Sequence, residues 1–493
     1  MIGFSSSWGT QALGEGMRFF TSLFVVIFWS GGLFAEGGSL AGSLRFSSDS
    51  LRGDSLFGSQ SSTNLSFNLM GEDYFAGESL GFRSGASSQL PALQLRGNFR
   101  WRLGEGRLFQ VDVASRYSAA ERAHYFLPYE FYFAQEQKNS AWAIGRRRHL
   151  WSRGDEFWRQ GLWQPRAFHE KLTPESAGLM GLWGEVSHGN WRGLIFASPL
   201  FIPEFGPQQS LQEEQFVSAN PWFRPPANQI VFNSVPTPVR YDLAQVRESD
   251  LVNHPSLALS LEHRSGPEGW FLRSTYAYKP MNQLVMSFPL QFALQAQDPH
   301  VRLVIHPKVV YHQLLALEGG VESVEGVRAW LNVTREIPDP QEVEVFAIQK
   351  AFAPAWLLSG FLEGDGPSWR GGQSHIYGAF FSVEGGDAPD LGSFAPGGGS
   401  LFERRYQYQR ALALGLRQSA GRWQWDQRWT YEVAQRMLWW NLRWDYLLDE
   451  SWSFLFQADL LTLVDNKSPE VGDGFLRDYR ANDRLALGVS YVF

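Results

Sequence analysis

The sequence predicts an all-β fold, a single antiparallel up-and-down β-barrel that spans a membrane. Three observations predict it. Long stretches alternate between apolar and polar residues, with aromatic side chains concentrated on one face. No stretch after residue 35 approaches the roughly 18 uninterrupted apolar residues of a membrane-crossing helix. The 493-residue chain has a mean hydropathy of -0.25 yet carries 21 Trp, 38 Phe and 16 Tyr. A barrel reconciles the last two facts. Its lumen and lipid faces alternate and average to a polar mean, while aromatic girdles mark both membrane interfaces.

Along the chain, Met17-Arg18 precede an apolar run from Phe19 to Trp29 and small residues up to Ala35. A basic start, a short apolar core and a cleavage site after Ala35 predict a secretory signal peptide over 1–35, with Met17 as an alternative start. Ser39-Leu40-Ala41 offers a second cleavage site. The competing reading, a membrane anchor helix, needs a longer apolar core. A lead-in over 36–61 then reaches the barrel, 62–493, whose first strand candidate is Asn64 to Met70. That spacing leaves no room for a separate plug domain.

The hairpins are legible. Leu93, Leu95, Gly97, Phe99, Trp101 and Leu103 alternate with Gln94, Arg96, Asn98, Arg100 and Arg102. Gly104-Glu105-Gly106 turns the chain into Phe109, Val111, Val113, Ser115 and Tyr117, opposite Gln110, Asp112, Ala114 and Arg116. Farther on, Trp423, Trp425, Trp429 and Tyr431 alternate with Asp426, Arg428 and Glu432, and Leu438, Trp440, Leu442, Trp444 and Tyr446 with Asn441, Arg443 and Asp445. After the turn at 449–451, Trp452, Phe454 and Phe456 oppose Gln457 and Asp459. In water such faces would form an oversized aromatic patch, and lipid removes the contradiction. The candidates number about 16 to 20 strands, with about 18 as the central value, even as in bacterial barrels. The weakest region is 279–365, interrupted by Pro280, Pro289, Pro307, Pro338, Pro340 and Pro354. Arg410 resists the scheme, because it shares a face with Leu412 and Leu414. No second soluble domain, repeat or linker is expected, and Gly397-Gly398-Gly399-Ser400 reads as a loop tip.

The closing strand is the most specific element. Leu485, Leu487, Val489, Tyr491 and Phe493 fall on one face, and Arg484, Ala486, Gly488 and Ser490 on the other. This ending resembles the C-terminal signature of Gram-negative outer-membrane β-barrel proteins of the porin-like kind. The resemblance covers one strand and names no subfamily. It implies the outer membrane of a Gram-negative bacterium, contact with lipid and lipopolysaccharide, and reading of Tyr491 and Phe493 by the barrel-assembly machinery. With Phe493 in the periplasm, short connections near 104–106, 188–190, 419–421 and 449–451 fall on the periplasmic side. Long ones near 151–176, 200–255, 384–404 and 463–482 fall outside, as in that family.

A barrel of this size is wide enough for an aqueous channel. Its predicted lumen lining is Arg96, Arg100, Arg102, Asp112, Arg116, Asp426, Arg428, Glu432, Arg443, Asp445 and Asp459. The bland reading is a hydrated, salt-bridged interior. The functional reading is a transverse field that sorts solutes by charge, with Arg96, Arg100 and Arg102 as a positive rail favouring anions. The densest cluster holds Arg146, Arg147, Arg148, Trp151, Arg153, Trp158, Arg159 and Trp163. Guanidinium groups recognise carboxylate or phosphate, and Trp faces stack on sugars or cations. Three readings compete: a constriction loop folded into the barrel, a cap held by its own ion pairs and Trp packing, and a lipopolysaccharide-binding rim. The Pro-rich connection 200–255 is too long for a casual link and caps the mouth or meets a partner.

The net charge of -7 argues against nucleic acid as a partner, and zero Cys excludes disulfides, thiolate metal sites and a lipidated cysteine. Ser187-His188 and Ser374-His375 each point to opposite faces of a strand, so neither pair is a nucleophile with its base. The chain has no His-x-Ser-Asn element like that of the outer-membrane phospholipases and no zinc-binding HExxH. Asp465, Glu470, Asp473 and Asp478 form an acidic loop without EF-hand spacing. The expected function is passive diffusion of small hydrophilic, anion-biased solutes without cofactor, metal or catalysis. The alternative is a non-conducting surface barrel for adhesion, envelope architecture or partner docking, and a rim-located lipase or protease ranks below both. The sequence leaves a homo-oligomer open.

Overall fold

The structure is a computed structural model. It describes residues 62–492 except 75–88, 294–299, 342–346, 368–371, 388–403, 465–473 and a few turn positions (105, 168, 227, 233–234, 267–268 and 325). The signal peptide, the lead-in, the 397–400 loop tip, Asp465, Glu470, Asp473 and Phe493 lie outside the described residues.

Eighteen strands form one closed antiparallel sheet among the described residues. They are β1 (Ser62–Tyr74), β2 (Gln89–Arg102), β3 (Arg107–Ser118), β4 (Ala123–Glu136), β5 (Ser140–Arg147) and β6 (Leu179–His188). Next come β7 (Trp191–Ser198), β8 (Ser256–Arg264), β9 (Trp270–Pro280), β10 (Tyr311–Val324), β11 (Val327–Pro338) and β12 (Phe352–Asp365). The last are β13 (Gln373–Asp387), β14 (Arg410–Ala420), β15 (Trp423–Glu432), β16 (Met437–Leu447), β17 (Trp452–Leu463) and β18 (Arg484–Val492). Each strand pairs with its chain neighbour. β18 returns to β1, with Phe67 opposite Tyr491 and Leu69 opposite Val489, so the closing strand leaves no open edge.

Alternation sets the two faces. In β14, Leu412 and Leu414 are 53% and 65% exposed, whereas Ala411 and Ala413 between them are 2% exposed. An apolar face turned outward all round the wall is unfavourable in water and favourable in lipid. Aromatic pairs mark the outer wall near one end: Trp101 on Phe109 at 5.6 Å, Phe133 on Trp142 at 5.7 Å, Trp423 on Trp444 at 4.8 Å and Trp452 on Tyr491 at 4.7 Å. These rings lie beside the connections 103–106, 137–139, 421–422 and 448–451, at the end that also carries 189–190, 265–269, 325–326 and 366–372. That is the short-turn end. The opposite end carries 148–178, 199–255, 281–310, 339–351, 388–409 and 464–483, besides two short turns at 119–122 and 433–436.

The prolines that break the pattern have identifiable places. Pro280 and Pro338 end β9 and β11, and Pro354 sits in the register shift between Phe352 and Ala355. Pro289 and Pro307 are not in the barrel. They belong to a second sheet, built from 229–232, 235–243, 285–293, 300–308 and 347–349 within the long connections. Val239, Tyr241, Phe288, Val301, Leu303 and Ile305 form its own apolar core. The sequence reading has no such layer, because its period-2 segments look like wall strands. Arg410 is the first residue of β14, so it sits at the rim rather than at mid-membrane depth.

Candidate functional site

The connection 148–178 leaves β5, crosses the lumen and returns to β6. Its anchor is one short helix, α1 (Arg153–Trp158). Ser152 caps it, its hydroxyl accepting from the Asp155 amide at 3.2 Å, and Arg159 ends it in the left-handed region at φ 53. The Asp155 carboxylate accepts the amides of Leu162 and Trp163 at 3.0 and 3.2 Å, binding the helix to the turn that follows. Burial outweighs these bonds and pushes the Asp155 carboxyl up to about 6.

The helix docks on the far wall. Arg153 donates from its amide and its Nε to Glu318 of β10 at 2.7 and 3.0 Å, pairs with Glu322, and lies 4.3 Å over the Phe271 ring of β9. Gly154 leaves no space for a side chain, since a Cβ would stand 2.2 Å from Ser359 Oγ of β12. Phe157 packs edge-on to Phe361 at 5.2 Å and Tyr377 at 6.1 Å, and Trp158 meets Phe381 and Tyr408, each at 5.6 Å. Arg428 of β15 stands 4.6 Å over Phe157 and 5.3 Å over Trp158. Trp151 stacks on Trp163 at 6.0 Å and meets Trp183 at 5.7 Å.

The return limb reaches the remaining wall. Glu175 accepts from Arg96 of β2 at 3.0 Å, and Glu170 pairs with Arg484 of β18 at 2.5 Å. Arg166 pairs with Glu204 at 2.9 Å, joining this loop to 199–255, which contributes Trp222. Trp222 Nε1 donates to the Tyr74 hydroxyl at 2.8 Å. Trp151, Trp158, Trp163 and Trp222 are all fully buried. Burial and the nearby Arg116 guanidinium hold His169 down at about 3.

Of the predicted cluster, then, the side chains turn inward on their own protein. Arg146 donates to the Gly178 carbonyl at 2.9 Å, Arg147 pairs with Glu185 at 2.6 Å, and Arg159 donates to the Leu172 carbonyl at 3.2 Å. Arg148 pairs with Asp112 at 2.8 Å and Glu130 at 3.2 Å. The loop is folded into the barrel and held there by ion pairs to the wall and by Trp packing.

The predicted lumen set divides by depth. Arg116 pairs with Glu72 at 2.8 Å, Asp459 with Arg484 at 2.6 Å, and Glu432 accepts the Arg410 amide at 3.1 Å, all buried. Asp426, Arg443 and Asp445 lie towards the short-turn end and are half-buried, Arg443 to Asp445 at 3.1 Å and Asp426 to Arg417 at 3.1 Å. The rail of three arginines is not a bare positive row. Arg96 is shared between Asp112 at 2.8 Å and Glu175, and Arg102 pairs with Glu136 at 3.5 Å, while Arg100 is half-buried on the same face. Carboxylates on neighbouring strands and on the loop offset its charge.

Two features escaped sequence reasoning. Glu318, Glu322, Asn332 and Ser359 receive α1, and nothing in their local pattern distinguishes them from other inward polar residues. Ser115 Oγ lies 2.7 Å from His124 Nε2 on the outer wall, and no described carboxylate hydrogen-bonds that imidazole. Of the acidic loop, Asp478 pairs with Arg224, and no described group of three His, Asp or Glu is placed to hold a metal.

Fold and site together define a closed antiparallel barrel of the membrane-spanning type whose own loops occupy the lumen at the long-connection end. No family model matches the sequence, and no curated protein matches it. Among solved structures it is similar to OccK11 (OpdR) of Pseudomonas aeruginosa, at 9% identity over 88% of this chain and 96% of that one, with a TM-score of 0.44. It is similar to a mutant porin of Rh. blastica at 8% identity over 88% and 100%, TM-score 0.35. Wzi of Escherichia coli, described as a carbohydrate-binding β-barrel involved in group 1 capsule assembly, aligns at 11% identity over 87% and 84%, TM-score 0.40.

Proposed function

We propose that the chain is a porin-like channel of a Gram-negative outer membrane with restricted passage. Small hydrophilic solutes share a charged vestibule at the short-turn end and meet the in-folded loop as a constriction. One observation carries the reading: Arg96, Arg148 and Glu175 are 27%, 33% and 43% exposed where the loop meets the vestibule, so solvent reaches charged groups there. The outward apolar wall and its aromatic pairs support a membrane location, and the segregation of turns supports a periplasmic short-turn end. Mixed signs at the constriction favour sorting by charge distribution over a simple anion preference. The barrel works without chemistry or an energy source.

Planar-bilayer recording tests this. The wild type is expected to conduct weakly, and a variant with 153–163 replaced by a Gly-Ser linker to conduct several times more. A large ohmic wild-type conductance would sink the constriction. The second reading, a non-conducting barrel for adhesion, envelope architecture or docking, is favoured by the layer of buried Trp across the lumen. Silence of both proteins after verified insertion supports it and removes the channel.

A further inference from the structure

We infer that the outer wall at β5–β9 binds one acyl chain of an anionic phospholipid, with the headgroup at Lys138. The inference rests on the membrane location above but not on conduction. A groove of about 650 Å³ opens there. Ladder partners directly opposite one another share a face, so the register maps its floor. Trp142, Gly184, Ile195, Leu259 and Tyr276 form one outward row across the five strands. Ser140, Val186, Gly193, Leu261 and Ser274 form the adjacent row, nearer the short-turn end.

The rows explain why the wall is hollow here. Elsewhere the outward face carries large side chains at most positions. In these rows Gly184 and Gly193 are diagonal neighbours, and Ser140 and Ser274 are small. The flanks are high and apolar: Trp142, Val186 and Leu261 are 47%, 60% and 51% exposed. A lipid-facing groove without its own filler must be occupied, because an empty apolar hollow forfeits dispersion contacts on one side. A flexible acyl chain is the filler the surrounding solvent supplies.

Position selects the lipid. Gln137 and Ser140 line the groove mouth, and exposed Lys138 sits between them in the turn joining β4 to β5. A lysine at that depth extends into the headgroup layer and attracts an anionic phosphate. The groove and the cation are thus continuous along one lipid's length.

The test uses the full barrel in nanodiscs containing phosphatidylglycerol and phosphatidylethanolamine, released and weighed by native mass spectrometry. Gly193→Leu fills the groove without a clash, since a Cβ there meets nothing nearer than 4.0 Å. Lys138→Gln lies in an exposed turn and spares the wall. The wild type is expected to retain one phosphatidylglycerol, and Gly193→Leu to lose it. Lys138→Gln should lower its retention about fivefold with phosphatidylethanolamine unchanged. Equal retention in wild type and Gly193→Leu overturns the site. Wild-type dimers that Gly193→Leu converts to monomers overturn it too, and assign the groove to a second copy. A protein that never enters nanodiscs overturns the membrane reading itself, whereas one that enters and holds no lipid overturns only the groove.

Discussion

The two halves of the lumen follow opposite rules within one wall. At the long-connection end, Trp151, Trp158, Trp163 and Trp222 are fully buried, and the ion pair of Arg153 with Glu318 is dry. At the short-turn end, Arg443 remains 42% exposed while pairing with Asp445 on its own strand. The same strands run through both halves and alternate the same way in each. What differs is whether a loop has folded down to meet them. Charges in the dry half act as structural fasteners, since an ion pair removed from water is costly to break. Charges in the wet half are screened, contribute little to stability and stay in contact with solvent.

The largest break in that contrast should come from Arg153→Ala. It takes the nearest cation from Glu318 and Glu322 and leaves them only Arg273 and Arg264, each at 3.8 Å, at a cost of about 3 kcal/mol to loop docking. Bilayer conductance should rise and protease should cut within 148–178, and an unchanged trace with an intact loop would refute the fastener role. Phe157→Ala removes the ring that meets Phe361, Tyr377 and Arg428, and should destabilise docking by about 3 kcal/mol, read as an earlier loop-cleavage midpoint in denaturant.

Acid should loosen the same half. His169 is held down at about 3, below its ordinary value near 6.5, so its neutral form stabilises the docked loop. That contribution is complete above about pH 6.5 and is lost as pH falls towards 3. Asp155, raised to about 6, acts oppositely, its contribution fading as pH rises from 4 through 6. The two offset one another between pH 6 and 4, so loop protection should fall only below about pH 4 in the wild type, where His169 alone still acts, and His169→Gln should remove that fall. Identical acid profiles would discard His169 as its source.

The smallest effect belongs to the wet half. Arg443→Gln should change thermal stability by under about 1 kcal/mol while shifting the reversal potential towards cations, because Asp445 loses its partner. An unchanged reversal potential would show that the vestibule does not set selectivity.

Much of the wall was legible. Phe99 and Trp101 against Arg100 and Arg102, or Trp423 and Trp425 against Asp426, announce strand and face through period alone, since one face meets lipid and the other water. The turn at 104–106 and the long connections at 151–176 and 200–255 were equally plain. Pro289 and Pro307 misled, because a strand in a small loop sheet has the same alternation as one in the wall. For the candidate site, the sequence marked Arg153, Trp158 and Trp163 as unusual but not their direction.

By itself, the sequence determined an all-β barrel whose strands alternate between two faces, because that alternation depends on neighbours one or two positions away. Only the tertiary structure decided that 148–178 fills the lumen, that Arg96 and Arg102 meet carboxylates, and that Gly184 and Gly193 hollow the outer wall. Those outcomes depend on partners such as Glu318, Ser359 and Leu261, far away in the chain, and local periodicity carries no record of which distant strand a side chain will meet.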